Sequence, residues 1–145
     1  MHKYTFGFLL SVYKNDTSTY VDQCLDSIAN QTVLANETII VVEGGINIDL
    51  KNVISSYSNK IQGLAVYYIE EQKGPLNFGL PSCLNYGIAK TNVDYIVRID
   101  SDDINRNDRI EKTSEFLTKK PHIKLLGSNI EEYDEEMLIK QNQRS

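Results

Sequence analysis

Cysteine and histidine are scarce in this chain of 145 residues, with two of each, and the scarcity removes several chemistries at once. Cys24 and Cys83 both fall on the apolar faces of predicted helices and read as buried, reduced thiols, not as a disulfide or a nucleophile. No Cys/His spacing suits a metal site. His2 at one end and His122 beside Pro121 offer no base for a nucleophilic triad. Basic residues are short as well: 15 Lys and Arg face 20 Asp and Glu, for a net charge of -5. Without a Lys/Arg stripe to follow a phosphate backbone, no nucleic-acid partner is expected. Apolar runs last only a few residues, and Met1-His2-Lys3-Tyr4 leads straight into a strand-like segment, so a soluble, cytosolic chain is expected. Repeats and low-complexity stretches are missing too.

What remains is the composition of an ordinary globular domain. A chain of this length that is 41% hydrophobic buries roughly 68–70% of its unfolded surface around one core. Tyr4 to Val12 reads as a buried strand, and Asp16, Thr17 or Ser18 can cap a helix carrying Val21, Cys24, Leu25 and Ile28 on one stripe. Glu37 to Val42 is a second β-branched strand, closed by the turn Glu43-Gly44-Gly45. Leu50, Val53, Ile54 and Tyr57 mark a second helix, and a strand runs from about Leu64 to Glu70. Beyond Gln72-Lys73-Gly74-Pro75, a third helix carries Leu80, Cys83, Leu84, Gly87 and Ile88, with Pro81 in its first turn. Val93 to Ile99 is again a strand. Asn107 or Asp108 opens a fourth helix that halts before Pro121, and Ile123 to Leu126 reads as a last strand.

Strands alternating with helices of this length predict an α/β fold: a mostly parallel sheet with helices on both faces, joined by right-handed crossovers. Ligands of such sheets bind beyond the carboxyl ends of the strands. Three polar strand ends are therefore the candidates: Ser11 to Tyr13, Glu43 to Gly45, and Arg98 to Asp103.

The last of these holds Asp100, Asp102 and Asp103 within four residues, an arrangement whose repulsion calls for a positive charge among them. Alternation along the strand puts Arg98 and Asp100 on one face, with Val97 and Ile99 on the other. An acidic protein that handles a phosphate ligand does so most simply through a divalent cation. The bland reading, that these acids cap the next helix, explains one of them, and Asn107 or Asp108 stands nearer the helix start. An EF-hand loop starting at Asp100 fails because Ile104 stands at a ligand position and Asn105 at the turn glycine. Gly74 and Gly79 have P-loop spacing but Leu80-Pro81 follows, and no GxGxxG follows the first strand.

Five segments in order, LLSVYKND, LDSIANQT, IIVVEGG, GLPSCLNYGI and YIVRIDSDDINRNDRIEK with FLTKKPHIKLLGS, give the chain a strong resemblance to family 2 glycosyltransferases of GT-A fold, the type that builds bacterial surface polysaccharides. The resemblance implies a Rossmann-like nucleotide-binding half in which Ser11, Val12 and Tyr13 line the pocket for the base. It puts Glu43 where the family usually has an aspartate. Asp100-Ser101-Asp102 matches the family's DxD motif, which implies that Asp102 binds Mn²⁺ or Mg²⁺ on the donor diphosphate and that Asp100 contacts the ribose or a metal-bound water. Arg98 and Lys73 would face the phosphates. The implied reaction is inverting transfer of a sugar from a nucleotide sugar, UDP-linked by default, to a saccharide or lipid-linked acceptor.

The resemblance also implies a catalytic base well downstream of the DxD, whereas only about forty residues follow Asp103. Glu131, Glu132, Asp134, Glu135 and Glu136 read better as a solvated run, so the base is unassigned. Residues 1–133 are expected to be the nucleotide-sugar-binding part, and 134–145 a polar tail that begins the acceptor half. Such a fragment should bind a donor with little turnover, expose a sheet edge open to homodimer formation, and belong to a cytoplasmic enzyme that sits peripherally at the inner membrane. The competing class is a non-catalytic nucleotide-binding module. A receiver domain needs further acids after the first strand, and a nucleotidyltransferase needs a glycine-rich loop where Lys14-Asn15-Asp16 stands.

Overall fold

The computed structural model describes residues 4–71, 79–119 and 137–140. The chain alternates as the hydrophobic pattern requires. Strand β1 (Phe6–Tyr13) is followed by helix α1 (Ser18–Ala29), β2 (Glu37–Glu43), α2 (Ile48–Ser56), β3 (Leu64–Ile69), α3 (Gly79–Ala89), β4 (Tyr95–Arg98), α4 (Arg109–Lys119) and β5 (Met137–Lys140). The sheet order is β3-β2-β1-β4-β5. The first four strands are parallel, and β5 pairs antiparallel with β4. The expected strand at Ile123 to Leu126 lies outside the described residues. Met137–Lys140, which the sequence reading leaves in a polar tail, forms β5; four residues flanked by charge carry too little periodicity to announce a strand.

Central strands of a parallel sheet are covered on both faces, which is why β1 and β2 read as continuous apolar runs. On one face Phe6, Phe8, Leu10 and Val12 of β1 meet Val21, Cys24, Leu25 and Ile28 of α1, Leu50 and Ile54 of α2, and Ile110 and Leu117 of α4. On the other face Leu9, Ile39, Val41 and Ile96 meet Cys83 of α3. Strand register carries this division to the carboxyl ends: Tyr13 stands opposite Glu43, and Leu9 opposite both Ile39 and Arg98. Ser11, Tyr13, Glu43 and Arg98 therefore belong to the α3 face, while Val12 belongs to the larger core.

Helix starts follow different rules. Asn47 caps α2 by accepting the Leu50 N–H at 2.8 Å, as short polar residues do. At α1 the N-cap residue Thr17 makes no side-chain cap bond. Asp16, one of the expected caps, is engaged elsewhere, with Tyr13 and Ser101.

Gly63 ends the turn before β3 with φ 68°, and a Cβ there would lie 2.2 Å from the Asn36 carbonyl oxygen. Gly63→Ala is expected to destabilise the chain by about 1–3 kcal/mol through strain at positive φ, read by urea denaturation. Gly45→Ala, where nothing lies within 4 Å of the added Cβ, is the control and should be near neutral.

Candidate functional site

The carboxyl end of β4 begins the site. Ile99, 3% exposed, extends the ladder by donating its N–H to the Leu9 carbonyl at 3.0 Å, so the strand leaves the core only at Asp100. The loop then turns on itself. Asp103 Oδ2 accepts the Asp100 N–H at 2.9 Å, and the Asp103 N–H is donated to the Asp100 carbonyl at 3.0 Å. Asp103 is therefore the member of the cluster that closes a turn through its carboxylate. Asp100 faces Arg98 as alternation predicts, with Nη2 to Oδ1 at 3.7 Å. Asp102 is exposed, and no hydrogen bond or ion pair holds its carboxylate among the described residues.

Each of Asp100, Asp102 and Asp103 offers an oxygen, and the three oxygens lie within 4.8 Å of one another. An all-oxygen, anionic donor set suits hard divalent cations such as Mg²⁺ and Mn²⁺ and not soft metals. Among the described residues, these acids are the one group of three or more His, Cys, Asp or Glu side chains able to hold an ion.

Behind the loop stands α1. Cys24 Sγ–H is donated to the Asp100 carbonyl at 3.6 Å. Ser27 Oγ accepts from Asn105 N–H at 3.0 Å and from Asn105 Nδ2 at 3.1 Å. Gln31, 6% exposed, donates to the Arg106 carbonyl at 2.6 Å and accepts the Ile110 N–H at 3.0 Å, so the first turn of α4 is capped from the segment just past α1. Asn107 and Asp108, the expected caps, precede α4 without that part. Ser27, Gln31 and Asn105 escaped the sequence reading; their only signal is a pair of polar residues four apart along one edge of an otherwise apolar stripe.

The other strand ends converge on the same rim. Ser11 and Tyr13 are half-buried on the α3 face. Val12 is fully buried, so only its backbone can meet a ligand. Glu43, 6% exposed, accepts from the Cys83 thiol at 3.6 Å, which turns it toward α3. Gly44 turns with φ 77°, as the Glu43-Gly44-Gly45 motif predicts, and donates its N–H to the Ile69 carbonyl. Beside it lies an open cavity of about 540 Å³ lined by Gly44, Gly45, Tyr68, Ile69, Glu70 and Glu71, of a size that holds small ligands. Lys14 reaches Glu71 at 3.6 Å along this rim. Tyr68, Glu70 and Glu71 had no motif to single them out. Lys73, expected at the phosphates, lies outside the described residues.

Both thiols are held neutral. The Cys24 thiol is pushed up to about 12 from its ordinary 9.0, first by burial and then by the carboxylates of Asp103, Asp102 and Asp100. Cys83 is pushed up to about 12 by burial, then by the charge and hydrogen bond of Glu43. These values fit the expected buried, reduced cysteines, and both are free. Because the unfolded chain gives up these protons near pH 9 and the folded chain keeps them, stability is full below pH 9 and is expected to fall as pH rises toward 12. Disulfide-exchange labelling at pH 8 should modify neither cysteine until the chain unfolds; rapid labelling of the native protein would contradict this burial.

The chain is similar to known proteins in sequence and in fold. A β-1,3-galactosyltransferase of Escherichia coli, named for UDP-Gal and an α-D-GlcNAc-diphosphoundecaprenol acceptor, is 33% identical over 129 residues, which are 89% of this chain and 45% of that protein. The chain thus spans about half the length of such a relative. TarS 1–349 of S. aureus in complex with UDP superposes with a TM-score of 0.64 at 22% identity, over 79% of this chain and 32% of that fragment. A mannosyltransferase of Pyrobaculum calidifontis in complex with GDP-Man and Mn²⁺ gives 0.60 at 16%, over 79% of this chain and 33% of that one. The two structures establish the GT-A fold. The family model described as glycosyl transferase family 2 matches residues 9–145, nearly the whole chain, and this chain belongs to that family.

Proposed function

We propose that this chain is the donor-binding part of a metal-dependent, inverting glycosyltransferase that moves a sugar from a nucleoside diphosphate to a saccharide or lipid-linked acceptor in polysaccharide biosynthesis. The observation that carries the reading is the trio of carboxylate oxygens within 4.8 Å at the end of β4, beside the end of β1. UDP is the nucleotide by preference, because the E. coli relative is named for UDP-Gal and TarS binds UDP. The lipid diphosphate in that relative's name supports an acceptor carried on lipid, and with it an enzyme working at the cytoplasmic side of a membrane. No helix among the described residues is long and apolar enough to cross one.

The roles follow from position. Backbone groups at Ser11 to Tyr13, with the side chains of Ser11 and Tyr13, meet the nucleoside, and Glu43 stands at the neighbouring strand end to read the base. Asp102 and Asp100 hold Mn²⁺ or Mg²⁺, as the Mn²⁺ in the mannosyltransferase supports. The ion when bound supplies positive charge to the leaving diphosphate. Ser101 spaces the two ligands, Arg98 orients Asp100 through their ion pair, and Arg98 and Lys73 add positive charge at the phosphates. Asp103 holds the loop closed. Inversion requires a base that takes the proton of the acceptor hydroxyl. Glu131, Glu132, Asp134, Glu135 and Glu136 lie outside the described residues, and the base is unassigned.

Calorimetric titration of this chain with UDP should show binding that tightens when Mn²⁺ is added, and Asp102→Asn should weaken that binding at least ~10-fold, or about 1.4 kcal/mol. Affinity indifferent to Mn²⁺ would favour a plain nucleotide-binding module. UDP release in the presence of acceptor should stay at background; steady turnover would place the base within these 145 residues. Strand β3 ends the sheet and leaves its outer edge unpaired among the described residues, so a second copy is expected to add there. Light scattering at rising concentration should show dimers, and a monomer throughout would remove this part of the proposal.

A further inference from the structure

Asp16 is absent from the roles above, yet it joins the two ends of the site. It lies 85 residues from Ser101 in sequence, and its Oδ2 accepts the Ser101 hydroxyl at 3.0 Å. The same oxygen accepts the Tyr13 N–H at 2.8 Å, while the Asp16 N–H is donated to the Tyr13 carbonyl at 2.9 Å. A local turn after β1 needs only the contacts with Tyr13. The helix start needs an acceptor at Thr17 or near it, and no side-chain cap bond forms there. The bond to Ser101 serves neither purpose, and it ties the loop after β1 to the loop after β4.

Ser101 stands between Asp100 and Asp102, so whatever fixes Ser101 sets the direction of both flanking carboxylates. On the far side of the loop, Cys24 holds the Asp100 carbonyl and Asp103 closes the turn. Asp16 holds the near side and refers it to Tyr13. A nucleoside diphosphate gripped at both places is a ligand of fixed length, and a shift of about 1 Å in one grip relative to the other is costly, up to 10²-fold in well-aligned sites.

We infer that Asp16 is a positioning residue: it sets the distance between the nucleoside end of the site, Ser11 to Tyr13, and the diphosphate and metal end, Asp100 to Asp102, and so couples nucleotide binding to metal binding. This rests on the donor-site reading above. The coupling works through hydrogen-bond geometry, because one oxygen serves both donors; an asparagine amide oxygen accepts the same two bonds without the charge.

The test is titration of the full chain with UDP, with and without Mn²⁺, for the wild type, Asp16→Asn, Asp16→Ala, Ser101→Ala and the double alanine variant. In the wild type, Mn²⁺ tightens UDP, and the ratio of the two affinities measures the coupling. Asp16→Ala is expected to weaken UDP binding in Mn²⁺ about 10-fold while changing metal-free binding less than about threefold, and Asp16→Asn to stay within about threefold of the wild type throughout. Ser101→Ala should shift in the same direction as Asp16→Ala, and the double variant should be no weaker than Asp16→Ala alone. Retention of the wild-type Mn²⁺ effect in Asp16→Ala, equal losses in Asp16→Asn and Asp16→Ala, or additive losses in the double variant would overturn the inference and leave the donor site standing. If Asp16→Ala does not fold, Ser101→Ala decides: loss of the Mn²⁺ effect supports the bridge and its retention overturns it. A wild-type chain whose UDP affinity ignores Mn²⁺ overturns the donor-site reading, and the inference with it.

Discussion

Three carboxylates within 4.8 Å of one another repel, and everything else about this site is a means of keeping them together. Even with the screening of water, each pair costs about 1 kcal/mol at such spacing. Part of that cost is offset inside the protein. Arg98 faces Asp100 at 3.7 Å, and the Asp100 N–H binds Asp103. Asp102 is left exposed with no such partner among the described residues.

A cluster held against its own repulsion needs a rigid support, and the packing provides one. Tyr95, Ile96, Val97 and Ile99 are buried, and Cys24 and Ser27 of α1, with Gln31 just past its end, each bond a different part of the segment from Asp100 to Ile110. Buried polar groups such as Gln31 are stable only when satisfied, so these bonds fix one conformation. The same helix packs its apolar stripe on the larger core. The core thus supports the acidic loop from β4, from α1 and, through Asp16, from the loop after β1, and a ligand meets a loop already formed.

The architecture was legible because its periodicities are long and unambiguous. The stripes of Val21, Leu25 and Ile28 and of Leu50 and Ile54, and the β-branched run of β2, match the observed elements to within two or three residues. The acidic loop was legible because its residues adjoin in sequence and break the rule for a buried strand end. The tertiary partners were not. Asp16 resembles any helix cap, and only the fold shows that its oxygen turns to Ser101. Gln31 caps a helix 79 residues away, and no local pattern records that. The family resemblance implies that Val12 lines the pocket, yet alternation sends its side chain into the core. β5 is too short to carry a period of its own.

The most direct measurement is an anomalous difference map from a crystal grown with Mn²⁺ and UDP. A peak touching Asp102 and Asp100, with the diphosphate on its other side, is the expected result. A nucleotide bound while that position stays empty, or a manganese peak at some other group of residues, would contradict the assignment of the acidic loop as the metal site.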